Sequence, residues 1–108
     1  MSKKTPSIVF GARLRQARLH ADIPQDQLGV RIGLDETTAS ARISRYETGA
    51  HEPPFETAKK IGVALSVPTA FFYCEDDGLA EVVRQWGALK KKDREKVRAL
   101  LKEISAER

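Results

Sequence analysis

Prolines and glycines punctuate this chain at intervals that leave room for helices and for little else. Asp22-Ile23-Pro24, Gly33, Gly49, Pro53-Pro54, Pro68 and Gly78 divide it into short segments. A proline disfavours helix in the residue before it, and a glycine takes the left-handed conformation cheaply at a helix end. Between these breaks apolar residues recur at helical spacing: Phe10, Leu14, Ala17 and Ala21, then Leu28 and Ile32, then Ala39, Ile43 and Tyr46, then Ala58, Ile61 and Leu65. Each set lines one face of a helix. No alternating apolar–polar run is long enough for a strand. The pattern predicts an all-α protein.

The same reading sets the elements. Ser7 is the expected cap of the first helix, after a flexible tail over residues 1–7. The second helix begins near Pro24 or Gln25 and closes at Gly33, and Asp35 is the expected cap of the third. A fourth runs from Phe55 to Leu65, and Pro68 suits the first turn of a fifth that turns Phe71 and Phe72 inward. Residues 8–75 thus form a five-helix domain. Cys74-Glu75-Asp76-Asp77-Gly78 is the expected boundary, with Asp76-Asp77-Gly78 a turn. Residues 78–108 then form one or two C-terminal helices. Their stripes, Leu79, Val82, Val83, Trp86 and Leu89, then Val97, Leu100, Leu101 and Ile104, suit a dimerisation element. Lys90-Lys91-Lys92 separates them, and Asp93 caps the second.

Composition narrows the function classes. The chain has 108 residues, 41% of them hydrophobic, which supports a modest core. No apolar run approaches the roughly 20 residues of a membrane span, and the basic N-terminus meets Arg13 and Arg15 instead of a secretory apolar region. The single cysteine, Cys74, suits a reducing compartment, so a cytoplasmic location is expected. Net charge is +4, shared evenly between the two halves, so any cationic patch must arise by folding. His20, His51 and Cys74, even with Asp76 and Asp77, lack metal-ligand spacing. No nucleophile–base pair, phosphate loop or paired carboxylates supports an enzyme. No cofactor, metal or small-molecule ligand is expected.

The segment from Pro24 to Gly49 is specific. Gln25, Leu28, Gly29 and Gly33, followed by Ile43-Ser44-Arg45-Tyr46-Glu47 and Gly49, resemble the Cro/phage-repressor family of helix-turn-helix regulators. Leu14-Arg15-Gln16-Ala17-Arg18 before them and Pro54-Phe55 with Ile61 after them fit the same pattern. The resemblance covers about Phe10 to Tyr73 and implies a lambda-repressor-like domain whose third helix enters the DNA major groove, with repression as the expected outcome. Physical reasons accompany the match. Gly29 lies where the second helix passes close to the third, and Ile43 and Tyr46 hold the third helix to the core. Arg42 and Arg45, three apart, share another face that fits a groove about 12 Å wide.

One departure stands out. Gly33 to Gly49 is about four residues longer than the family's usual spacing, about one helical turn. Either the turn is longer or the recognition helix starts earlier, near Glu36. The longer helix is the favoured expectation, since Asp35 can cap it and Glu36 suits its positive end. The resemblance places base contacts on Ser40, Ala41 and Arg45, and the extra turn adds Thr37 and Thr38. Arg42 and Thr48 belong to the same candidate surface, Gln25 is implied as a phosphate contact, and His51 is a phosphate neighbour. Arg18 and Glu47 resemble a structural ion pair tying the first helix to the third. The expected partner is double-stranded DNA, bound by a homodimer. The alternative is a helical protein-interaction module, or an antitoxin-like partner of another protein.

Overall fold

The computed structural model describes residues 5–107, and among these every regular element is helical. The elements are α1 (Pro6–His20), α2 (Gln25–Arg31), α3 (Ala39–Thr48), α4 (Phe55–Leu65), a 3-10 helix (Thr69–Tyr73), α5 (Asp77–Ala88) and α6 (Lys91–Ala106). The fifth helix of the expected domain is therefore the short 3-10 segment, and the C-terminal third is two helices. Residues 1–4 of the expected tail lie outside the described residues. Pro6 and Ser7, also assigned to that tail, are already helical. Thr5, not Ser7, caps α1: its hydroxyl accepts from the Ile8 N–H, and Pro6 takes the first helical position.

Phe10, Leu14, Leu28, Ile43, Ile61, Phe71 and Phe72 are fully buried and form one core. Phe10 from α1 meets Phe72 at 5.0 Å between ring centroids, which joins the first and fifth elements of the domain. The fourth helix supplies Ala58, Ile61 and Leu65 to the same core. Every apolar face anticipated for the first five elements packs inward.

The core extends past the expected boundary at Cys74–Gly78. Ala80 of α5 is buried with the rest, and Val83 packs against it. Asp76 is the cap of α5 and accepts from the Leu79 N–H, so the acidic run starts a helix. Arg13, buried in α1, holds this junction. Its Nε donates to the Cys74 carbonyl at 2.7 Å, and Nη2 donates to the Glu75 carbonyl and to Asp77 Oδ1, both at 2.9 Å. Nη1 donates to Gln16 Oε1, and the guanidinium lies 6.0 Å from the Phe71 ring centroid. Asp77 is almost fully exposed, so screening weakens its attraction and the two backbone carbonyls carry the tie. No pattern in the sequence singled out Arg13.

Two glycines let helices touch α3. A Cβ on Gly11 would stand 2.5 Å from the Tyr46 carbonyl oxygen, and one on Gly29 would stand 2.4 Å from Ala39 Cβ. Backbone can thus approach backbone on both sides of α3. At Gly29 two effects oppose: alanine raises helix propensity by about 1 kcal/mol, whereas overpacking costs about 1–3 kcal/mol. The clash meets the start of α3 itself and should win. Gly29→Ala is expected to lower the urea midpoint with an unchanged slope; a raised midpoint would show that α2 and α3 can separate freely.

Candidate nucleic-acid interface

The expected long recognition helix is not formed. Helix α3 begins at Ala39, with Thr38 at its cap position, and Leu34–Thr38 belongs to the turn. Asp35 does cap backbone, but locally. Its Oδ1 accepts from the Thr37 N–H at 2.8 Å and from the Thr37 hydroxyl at 2.6 Å, and the Thr38 N–H donates to the Asp35 carbonyl. A short acidic side chain can start a helix or close a turn with the same oxygen. Here the turn wins, because Ala39 must sit fully buried against Gly29 and that contact fixes where α3 can begin. The two Thr37 bonds hold the exposed Asp35 carboxyl below its ordinary range.

Helix α3 is pinned on one side by Ala39, Ile43 and Tyr46, all buried. Ser40, Ala41, Arg42, Arg45 and Thr48 are exposed on the remainder. Ser44, half-buried, lies one turn from both Ser40 and Thr48; the four-residue spacing carried that signal, and the sequence reading omitted it. Gly49 ends the helix in the left-handed conformation, with φ +82°. The His51 N–H then donates to the Arg45 carbonyl. His51 is exposed, and with Arg42, Arg45, Tyr46, Glu52 and Pro54 it lines a recess of about 430 Å³. Thr37 and Thr38 sit in the turn ahead of α3, also exposed.

The Arg18–Glu47 pair is formed and shielded. Arg18 Nε and Nη2 donate to the two Glu47 oxygens, and Nη1 donates to the Ile23 carbonyl at 3.2 Å. The side chains are 11% and 4% exposed, which makes this a buried pair and not a surface one. Gln25 completes the network: its Nε2 donates to Glu47 Oε1 at 3.1 Å, while its Oε1 accepts from the Ser40 hydroxyl at 3.4 Å. Gln25 thereby links α2 to the exposed face of α3. No side-chain nitrogen or oxygen buried among the described residues lacks a partner, and no group of three or more possible metal ligands occurs among them.

A protein-family model described as a helix-turn-helix domain matches residues 9–70. The chain belongs to that family. Among solved structures, the transcriptional regulator BswR matches this helix-turn-helix protein with a TM-score of 0.85 at 35% identity, over 89% of this chain and 95% of that one. That match extends beyond the family segment into the C-terminal helices. A search of curated proteins gave no match. Family and fold agree with the Cro/phage-repressor resemblance of the sequence.

The network sets a stability test within this helix-turn-helix domain. Arg18→Ala or Glu47→Ala leaves the other charge buried without its partner and should cost about 3 kcal/mol. The double variant should cost less than the two losses added, because the orphaned charge is gone. Denaturant midpoints will check both, and parental midpoints in the single variants would refute a shielded tie.

Proposed function

We propose that this protein is a sequence-specific transcriptional regulator that inserts α3 into the major groove of double-stranded DNA. The observation that carries the reading is the division of α3: one side locked in the core, the other presenting Arg42 and Arg45 beside Ser40, Ala41 and Thr48. A rigidly backed helix with outward arginines can offer paired donors to the major-groove edge of guanine. His51 adds a donor past the end of α3, and Gln25 stands at the start of α2, where phosphate contacts position such helices. Thr37 and Thr38 flank the groove-facing helix from the turn. We read the protein as a DNA-binding cytoplasmic regulator without catalytic activity. The reading as a repressor rests on family resemblance.

Arg45 tests the surface. Its side chain supports no core contact, so Arg45→Ala should leave circular dichroism unchanged. Specific affinity for a duplex selected from a random pool should fall by about 1–3 kcal/mol. Undiminished protection of the same duplex would show that α3 does not read it.

We further propose that the C-terminal helices form a homodimer. Helix α6 has no buried residue, and Leu100, Leu101 and Ile104 are each about half exposed on one stripe. Leu79 and Val82 of α5 are equally open. A helix draws most of its stability from covering its apolar face, and among the described residues nothing buries this one. A two-fold pair would space two copies of α3 about one turn of DNA apart, ~34 Å, and read two half-sites. Exposed apolar positions can be changed without emptying the core. Leu100→Glu with Ile104→Glu should give a folded monomer in light scattering, with at least about tenfold weaker operator binding and a shallower salt dependence. A parent that is monomeric even on its operator would end the dimer reading.

A further inference from the structure

A second recess lies away from α3. Where α4, the loop after it, α5 and α6 meet, a groove of about 490 Å³ opens over Val63, Val67 and Pro68, with Trp86 in its wall. That volume lies within the range of small-molecule sites. The groove lines the C-terminal half of α4. Val63 is eight residues along the helix from Phe55, about 12 Å from the end nearest the Arg45 recess. The two recesses share no lining residue.

Its charges point one way. Lys59 and Arg94 line it, and none of its lining residues is acidic. Arg94 is held in place: Nε donates to the Trp86 carbonyl at 3.1 Å and Nη2 to the Gly87 carbonyl at 3.2 Å, with the guanidinium 5.4 Å from the Trp86 ring centroid. These carbonyls orient the guanidinium without cancelling its charge, and no carboxylate among the described residues pairs with it. Lys59 is half exposed and lies 3.8 Å from Glu56 and 5.8 Å from the Phe55 ring centroid, both on its own helix, so an anion in the groove competes with one exposed carboxylate. An aromatic wall, an apolar floor, one cation without a carboxylate partner and a second whose only carboxylate partner is loose and exposed define one ligand chemistry. The body should be apolar and flat enough to lie against an indole, and the head should be a carboxylate.

We propose that this groove is a binding site for a small aromatic carboxylate, its ring against Trp86 and its carboxylate between Lys59 and Arg94. Lys59 belongs to the DNA-binding body and Arg94 to α6, so a ligand held by both would fix the angle between them. The proposal is independent of what α3 does.

Trp86 is the only tryptophan in the chain, so its emission reports this groove directly. Benzoate titrated into the full chain without DNA should change Trp86 emission saturably. Benzyl alcohol, the same ring without the charge, should not. Lys59→Ala, on the surface of α4, should weaken benzoate binding roughly tenfold while circular dichroism stays unchanged, as expected for one lost charge-assisted contact. Lys102→Ala, outside the groove, should bind as the parent does. Absence of a saturable response, equal response to benzyl alcohol, or parental affinity in Lys59→Ala would each overturn the proposal. Emission that follows protein concentration and ignores benzoate would mean that a second copy fills the groove, and would overturn it too. No DNA enters the measurement, so its failure leaves the reading of α3 standing.

Discussion

One carboxylate carries the geometry of the domain. Glu47, near the end of α3, receives the Arg18 guanidinium from α1 and the Gln25 amide from α2, and almost none of it reaches water. An isolated buried charge would be intolerable, so all three side chains must arrive together. That requirement does more than hold helices near each other. It fixes the rotation of α3 about its own axis, because Glu47 can face Arg18 only when Ile43 and Tyr46 face the core. The arginines at 42 and 45 are then turned outward by necessity.

The same constraint explains why α2 and α3 approach so closely. Gly29 removes the side chain that would hold them apart, and Ala39 closes against it. Glycine in a helix costs about 1 kcal/mol of propensity, and here the close contact offsets it. Residues 34–38 of the turn lie outside this contact. Asp35 and Thr37 tie them together, and residues 35–38 are exposed.

Much of this was legible in the chain. The three-and-four spacing of Phe10, Leu14, Ala39, Ile43 and Ile61 gave the packed faces, since a helix has few ways to hide such a stripe. Arg18 and Glu47 were singled out through family likeness, and in the structure they lie paired and largely out of water. What stayed hidden was decided by competition between equivalent local chemistries. Asp35 can cap a helix or close a turn, and only the tertiary contact of Ala39 selects between them. Thr5 displaced Ser7 as the first cap because Pro6 prefers the position just after a cap. Arg13 left no trace, because the tie that matters runs to two backbone carbonyls more than sixty residues away, and carbonyls have no sequence signature. For Ser40, Ala41 and Thr48 the structure adds only their placement on an open face.

The clasp at Arg13 has a mechanical meaning. It roots the C-terminal helices in the first helix of the body with several bonds at different angles, which resist twisting as well as pulling. A tether of that kind has little torsional play, in contrast to a glycine- or serine-rich linker that would let each head swivel. In a two-fold assembly built on α5 and α6, the two heads would then be presented at a set distance and phase. Such an assembly would discriminate by spacer length as well as by sequence: one base pair inserted between half-sites would turn the second face about 35° around the duplex, a rotation that a stiff joint could not follow.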